Sequence, residues 1–211
     1  MARRSRGGAG NLEGAAARLP AGPDEDGERG TAMRDWNVLV TVNAGGWKAA
    51  VRLLRSLGRT AETQFYNVLL VHADDPGAFI DALQELAARD RGAVACLARV
   101  APVETTFTFS STEEFEERSR AATAGYAPAL AGKSFRVRIH RRGFKGRLSG
   151  HAEERALAEA LLQAAVSSGA PARISFEDPD FVVAIETIGP QAGVALLSRE
   201  DLARHPFLSP D

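Results

Sequence analysis

Cysteine is almost absent from this sequence of 211 residues, in which Cys96 is the single example. One cysteine excludes a disulfide within the chain and a zinc site built from cysteines. Its neighbours in AVACLARV are mostly apolar, so we expect Cys96 to be a small buried residue. The four histidines lack metal-ligand spacing, and no serine or cysteine has a histidine and an acid beside it. We therefore expect no metal, no cofactor and no nucleophilic triad.

Long apolar runs are also missing, and no stretch approaches the roughly 18 residues that a membrane-spanning helix needs. The start, MARRSRGG, is basic, but no apolar segment follows it, so we expect no secretory signal. Hydrophobic residues make up 45% of the sequence and charged residues 25%, which is ordinary for a globular protein. These features predict a soluble, cytoplasmic protein that has no membrane partner.

An overall excess of one charge is lacking as well, because the formal net charge is −1. Locally the charge is strongly uneven. The segment from Lys133 to His151 holds seven Lys or Arg residues and no acid, whereas residues 152–211 hold four basic and ten acidic residues. Because local charge sets the surface potential, the segment 133–151 predicts a surface that binds a polyanion.

The N-terminal half shows a change from a polar tail to alternating strands and helices. Residues 1–34 are mainly Gly, Ala, Pro and charged residues without apolar periodicity, which predicts a disordered tail. Residues 35–101 then predict a ferredoxin-like α+β unit. Its predicted elements are strands at 36–42 and 65–73, helices within 44–59 and 74–92, and an extended segment at 93–109.

The C-terminal half repeats this alternation. The pattern predicts helices within 110–126, 149–169 and 199–208, and strands at 133–142, within 172–189 and at 192–198. The run FVVAIETI is apolar at nearly every position, which is typical of a strand buried on both faces. Glu186 lies inside this run and needs a buried partner, for which Arg173 on the preceding strand is the candidate.

The basic segment predicts a strand with two unlike faces. Alternation along SFRVRIH places Phe135, Val137 and Ile139 on the core face. The cationic side chains of the other face then follow one another at about 7 Å, close to the phosphate spacing of an extended single strand. A glycine-rich loop continues this charge, Phe144 is placed to stack on a base, and Ser149 is placed to cap the next helix. The RNA-binding residues predicted in this way are Arg136, Arg138, His140, Arg141, Arg142, Phe144, Lys145, Arg147 and Ser149.

Other candidate sites are weaker. NAGGWK follows a predicted strand, but it lacks both the dinucleotide and the P-loop patterns. The acids of SFEDPDF are more typical of a turn than of a carboxylate pair. Two alternatives nevertheless stay open. One is an RNA-modifying enzyme with a site near Glu177, Asp180 and Glu186, and the other is a protein-interaction module that uses the acidic C-terminal surface.

From about Arg99 onward, the sequence resembles THUMP-domain proteins. RVAPVETTF resembles the segment that leads into a THUMP domain, GKSFRVRIHRRGFKG its basic strand, ERALAEAL its helix, and ARISFEDPDFVVAIETIG its strand pair with a Pro-Asp turn. The end, GVALLSREDLARHPFL, is similar to the standalone THUMP proteins that act as adaptors for tRNA cytidine acetylation. The resemblance covers roughly residues 99–208.

The resemblance implies a ferredoxin-like domain at 35–101 followed by a THUMP domain at 102–208 that binds the acceptor stem and 3′ end of tRNA. It implies no catalytic residues and no enzyme activity in this chain. The protein would present tRNA to an RNA acetyltransferase or to another tRNA-modifying enzyme. The binding role carries over to Arg136, Arg138, Arg141, Arg142 and Lys145, and less directly to Arg147 and Ser149. The adaptor family has more lysine in this segment than RIHRRGFKGRL has, which leaves the partner enzyme open.

Overall fold

The structure is a computed structural model and describes residues 33–208. Its N-terminal elements are β1 (Val38–Val42), α1 (Trp47–Arg55), β2 (Arg59–Glu62), β3 (Val68–His72), α2 (Pro76–Arg89), α3 (Arg91–Val94) and β4 (Leu97–Pro102). The strands form one sheet in the order β2-β3-β1-β4, and each neighbouring pair is antiparallel. Apart from the strand β2 and the short α3, neither of which was predicted, this order of helices and strands is the predicted strand–helix alternation.

Local sequence explains the boundaries of several of these elements. Asp75 caps α2 by accepting a hydrogen bond from the Ala78 amide at 3.0 Å, and Pro76 occupies the first turn. Cys96 is 8% exposed, which confirms its place as a small buried residue. The predicted strand at 65–73 is shorter in the structure, because residues 65–67 form the turn between β2 and β3.

The first sheet is covered on both faces. On one face, residues of β1 and β3 pack against Leu54 of α1 and Phe79 and Leu83 of α2. On the other face, Leu39 and Leu70 pack in a second apolar cluster that also contains Ile188 from the C-terminal half. The N-terminal sheet therefore lies between its own helices and the rest of the protein.

The C-terminal elements form a mixed sheet with helices. They are β5 (Thr105–Thr108), α4 (Thr112–Thr123), a 3₁₀ turn (Ala124–Tyr126), α5 (Ala127–Leu130), β6 (Ser134–His140), α6 (Gly150–Ser167), β7 (Arg173–Ile174), β8 (Phe181–Ile188), β9 (Gln191–Ser198), α7 (Arg199–Arg204) and a final 3₁₀ turn (Pro206–Leu208). The strand order is β5-β9-β8-β6-β7. β6 is parallel to both β7 and β8, whereas β9 is antiparallel to β5 and β8. The predicted α+β fold class is confirmed.

The core of this second sheet lies under α4 and α6. Phe135 and Val137 from β6 pack there with Phe115 of α4 and Leu157 and Leu161 of α6. α4 begins as its sequence predicts, because the Ser111 side chain accepts a hydrogen bond from the Glu114 amide at 3.2 Å. The helices thus fix one face of β6 in the core and leave its cationic face to the other side of the sheet.

The two sheets are joined by close packing. The Trp36 indole donates a hydrogen bond to the Gln191 side chain at 3.0 Å. Gly193 in β9 lies directly under that ring, since a Cβ at this position would be 2.7 Å from Trp36 and 2.8 Å from Val103. Only glycine at position 193 leaves room for these two side chains between the sheets.

The described part of the chain begins at Met33 and ends at Leu208. The predicted tail at 1–34 lies outside the described residues except for its last two positions. Of these, Met33 is buried in the same apolar cluster as Trp36.

The predicted boundary between the two domains falls at the last residues of β4 and stays a prediction. Within residues 33–208, no helix is both long enough and apolar enough to span a bilayer.

Candidate nucleic-acid interface

The strand β6 has the two faces that its sequence predicts. Phe135, Val137 and Ile139 are buried, whereas the residues between them are only half-buried. Those intervening residues are Arg136, Arg138 and His140. The alternation confirms the predicted register of the strand, in which successive cationic side chains lie about 7 Å apart on one face.

Two of these arginines have contacts along the edge of the sheet. The Arg136 guanidinium donates to the carbonyl oxygen of Phe176 at 3.3 Å. A nitrogen of Arg138 lies 3.9 Å from a carboxylate oxygen of Glu154 on α6. The same Glu154 oxygen accepts a hydrogen bond from the Ile139 amide at 2.8 Å, so it also covers part of the strand edge. The first turns of α6 therefore reduce the positive charge of β6.

A groove runs along this edge, because β7 pairs only with the first two residues of β6. Its volume is about 320 Å³. The floor is apolar and includes Val137 and Phe176, and the second of these is 74% exposed. The rim is polar and of both charges, with His151, Glu154 and Arg155.

The loop after β6 carries the most exposed cations of the predicted site. Arg141, Lys145 and Arg147 are exposed. Arg141 donates to the carbonyl oxygen of Gly143 at 2.6 Å, and Arg147 donates to the carbonyl oxygen of Ser110 at 3.2 Å. These hydrogen bonds go to neutral oxygens and leave the charge of Arg141 in place. Arg147 also lies close enough to Glu113 that its charge contributes to the lowered pKa of that carboxyl group.

Gly143 fixes the path of this loop. Its φ is +95°, and a Cβ there would lie 3.0 Å from the Cα of Gly189 and 3.6 Å from the Phe65 ring. The Gly189 amide also donates to the carbonyl oxygen of Arg142 at 2.9 Å. A side chain at position 143 would be both strained and crowded. The loop is therefore held against the turn after β8 and against the N-terminal sheet.

Phe144 faces the protein interior. Its ring centroid is 4.7 Å from that of Phe109, and it packs against the core under α4 and α6. The Arg147 guanidinium lies 4.9 Å from the same ring. The φ of Phe144 is +50°, next to a glycine that also has a positive φ, and this turns the ring inward. The geometry thus gives no support to the predicted stacking of Phe144 on a base.

Arg142 belongs to a buried ionic cluster. It donates to one carboxylate oxygen of Glu186 at 2.7 Å, while Arg99 of β4 donates to the other at 2.6 Å. Arg142 also donates to the hydroxyl of Thr41 in β1 at 3.2 Å. Glu186 is 1% exposed. Arg142 therefore joins the two sheets, and these contacts hold its guanidinium group, whose side chain is 18% exposed, away from a phosphate.

The predicted partner of Glu186 was wrong. Arg173 lies on β7, which is separated from β8 by β6, and its side chain is exposed. The partner of Glu186 depends on how the two sheets pack, because Arg99 reaches Glu186 from the N-terminal sheet. The sequence contains no local signal for that contact.

The acids of the alternative enzyme site do not come together. Asp180 accepts hydrogen bonds from the amide and the hydroxyl of Ser134 at 2.8 and 2.7 Å, and these bonds lower the pKa of its carboxyl group. Glu186 stands six residues further along β8, or about 20 Å away at ~3.3 Å per residue. Glu177 is exposed in the turn. Within residues 33–208, no three His, Cys, Asp or Glu side chains are grouped to hold a metal ion.

The start of α6 is only partly as predicted. Ser149 occupies the N-cap position, but its side chain makes no capping hydrogen bond. Glu153 in the first turn is buried, and this burial, together with the nearby Glu116 charge, raises the pKa of its carboxyl group. Ser149 is exposed and lies at the end of the cationic loop.

A second cationic group, which sequence reasoning missed, lies on the N-terminal unit. Lys48, Arg52 and Arg55 are exposed on α1 at helical spacing. They line a groove of about 450 Å³ together with Trp47, Val51 and Glu62. The signal was present in WKAAVRLLR, whose apolar stripe predicts the helix and whose cations occupy the opposite face.

Three solved structures resemble this chain in fold. PH1313 from Pyrococcus horikoshii Ot3 aligns with a TM-score of 0.55 at 13% identity, over 76% of this chain and 54% of that one. TrmN from Thermus thermophilus aligns with a TM-score of 0.50 at 16% identity, over 76% and 44%. A 4-thiouridine synthetase solved in a complex with RNA and bound ATP aligns with a TM-score of 0.50 at 13% identity, over 77% and 41%.

These similarities concern the fold alone, because the identities are low. The chain spans about half or less of the length of the three proteins that it resembles. No protein-family model and no curated protein matches the sequence. The fold of this chain is thus shared with several larger proteins, one of which is a 4-thiouridine synthetase solved with RNA.

Proposed function

We propose that this protein is a THUMP-type protein that binds the acceptor stem and 3′ end of tRNA and presents the tRNA to a separate modifying enzyme. The observation that carries this proposal is the cationic surface formed by β6 and the loop after it. That surface lies in a fold shared with a 4-thiouridine synthetase solved with RNA. The sequence resemblance to THUMP proteins covers the same elements.

The geometry divides the predicted contacts into two groups. The exposed cations, Arg141, Lys145 and Arg147, are the principal phosphate contacts in this proposal. Arg136 and Arg138 extend the same surface along β6. Because phosphate contacts release counterions, affinity for tRNA is expected to fall steeply as salt rises. Arg142 supports the surface through Glu186 and does not belong to the contacts.

An adaptor role is the further part of the proposal. It is supported by the resemblance of residues 193–208 to the adaptors of tRNA cytidine acetylation. A second support is that Asp180 and Glu186, the acids of the alternative enzyme site, are engaged in structural contacts, Asp180 with Ser134 and Glu186 with two arginines. In this role the protein contributes the grip on tRNA, and an RNA acetyltransferase or another tRNA-modifying enzyme contributes the chemistry.

Charge reversal in the loop tests the binding surface. The double variant R141E/K145E is expected to lose at least about tenfold in affinity for tRNA in a gel shift, since two phosphate contacts become repulsive. The matched control R89E/R91E makes the same change of charge at exposed positions of α2 and α3, and it should bind within about twofold of the wild type. Unchanged affinity of R141E/K145E, with a wild-type circular dichroism spectrum, would remove the assigned surface.

Mass spectrometry of tRNA nucleosides tests the adaptor role. After incubation of tRNA with the purified protein alone, together with acetyl and methyl donors, the proposal predicts no new modified nucleoside. A modification that forms without a partner enzyme would contradict the adaptor role and favour an enzyme. Co-purification of a protein without any RNA would instead favour the interaction-module alternative.

A further inference from the structure

The turn between β2 and β3 presents an exposed aromatic side chain. Tyr66 is 86% exposed, although its neighbours on either side are held in place. The Phe65 amide donates to the Thr63 hydroxyl oxygen at 3.1 Å, and that hydroxyl donates to the carbonyl oxygen of Val68 at 2.9 Å. Asn67 has a φ of +56°. The turn is therefore fixed, and it directs Tyr66 outward.

This turn touches the cationic loop of the C-terminal unit. Phe65 packs in the apolar cluster between the sheets, and its ring is 3.6 Å from the position of a Cβ on Gly143. Tyr66 is the next residue along the chain, so its backbone adjoins a residue that contacts the loop carrying Arg141 and Lys145.

The other side of the turn borders the cations of α1. Glu62, the last residue of β2, lines the same groove as Lys48 and Arg52. Among residues 33–208, no ion pair neutralises Lys48, Arg52 or Arg55, and Glu62 is the one acid in the lining. The turn that carries Tyr66 thus follows Glu62, which borders the cations of α1. The same turn contacts the cationic loop after β6 through Phe65.

We propose that Tyr66 stacks on an unpaired base of the bound RNA, and that Lys48 and Arg52 hold the phosphates beside it. This inference rests on the proposed function and extends it, because it adds the N-terminal unit to the RNA surface. An aromatic ring between cations is the arrangement by which single-stranded nucleic acid is bound without base-specific hydrogen bonds. Tyr66 thereby takes the role that the sequence predicted for Phe144, whose ring packs against the core.

Phe176 provides a matched comparison. It is 74% exposed, so among the described residues it is the other exposed large aromatic side chain. The next two residues are the acids Glu177 and Asp178, and Glu154 lines the adjacent groove. The charge around Phe176 is mixed, because Arg199 pairs with Asp178 at 2.9 Å and Arg136 donates to the Phe176 carbonyl oxygen. Phe176 is therefore the alternative aromatic residue from which the test must separate Tyr66.

The test compares two RNAs with the full-length protein. Both contain the same hairpin; one is blunt, and the other has a 3′ overhang of four nucleotides with 2-aminopurine in the overhang. Replacing Tyr66 by alanine is expected to weaken binding of the overhang RNA roughly 5- to 100-fold and to leave the blunt RNA unaffected. The variants Y66F and F176A should bind both RNAs as the wild type does, and 2-aminopurine fluorescence should be quenched by all proteins except Y66A.

The outcomes separate this inference from the proposed function. If the wild type binds the overhang RNA and Y66A binds it equally well, or if Y66A loses affinity for both RNAs to the same extent, stacking by Tyr66 is overturned. Loss of overhang binding in F176A but not in Y66A would assign the stacking to Phe176, and it would also overturn the proposal for Tyr66. If the wild type binds neither RNA, the proposed function itself fails.

Discussion

Replacing Glu186 by glutamine should lower the free energy of unfolding by about 3–5 kcal/mol, the usual cost of removing one partner from a buried ionic group. Glu186 is 1% exposed and has one carboxylate oxygen on Arg99 and the other on Arg142. Glutamine keeps the shape of the side chain and one hydrogen-bond acceptor. Its NH2 group, however, would face an arginine, and both groups can only donate. Two guanidinium groups, whose side chains are 10% and 18% exposed, would then lack their counter-charge.

The assay is urea unfolding followed by circular dichroism, and the matched control is E85Q. Glu85 pairs with Arg89 on the surface of α2, where the two side chains are 69% and 78% exposed. Such a pair contributes about 0–1 kcal/mol. A loss below about 1 kcal/mol in E186Q, similar to that in the control, would refute the reasoning that this cluster joins the two sheets.

Two further predictions concern packing and pH. The variant G193A should lose about 1–3 kcal/mol of unfolding free energy, because its Cβ would overlap Trp36 and Val103. The control G150A should lose none, because no atom lies within 4 Å of its Cβ position. Equal stability of the two variants in urea would contradict the packing. The lowered pKa of Asp180 means that its contribution to stability is complete above the ordinary value of 3.8 and is lost as the pH falls through the folded-state pKa. The variant D180N should therefore lose less stability than the wild type on acidification, and parallel losses in acid unfolding curves would contradict this.

Local periodicity was enough to predict the architecture near the candidate site. The two faces of β6 follow from alternation in SFRVRIH, and the strand is as predicted. The strand β2 was missed, because RTAE is short, polar and at the edge of its sheet, so it has no apolar face to reveal it. Tyr66 was missed for a related reason, since FYNVLLV reads as one apolar run although its first three residues form a turn.

Contacts between the sheets could not be predicted in this way. The pairing of Glu186 with Arg99 and Arg142 depends on which strands are neighbours and on how the two sheets pack. The inward position of Phe144 depends on a positive φ, which its residue type disfavours. Sequence alone therefore located the cationic segment, and the structure separated its exposed cations from those with structural partners.

Crosslinking the protein to RNA in cells and sequencing the bound fragments tests the central claim most directly. The proposal predicts that the recovered fragments come mainly from tRNA and that the crosslinks lie in the acceptor stem and the 3′ end. It also predicts that R141E/K145E yields far fewer of these fragments than R89E/R91E. Recovery of other RNA classes without enrichment of tRNA, or of no RNA above background, would contradict the claim that this protein holds the acceptor end of tRNA.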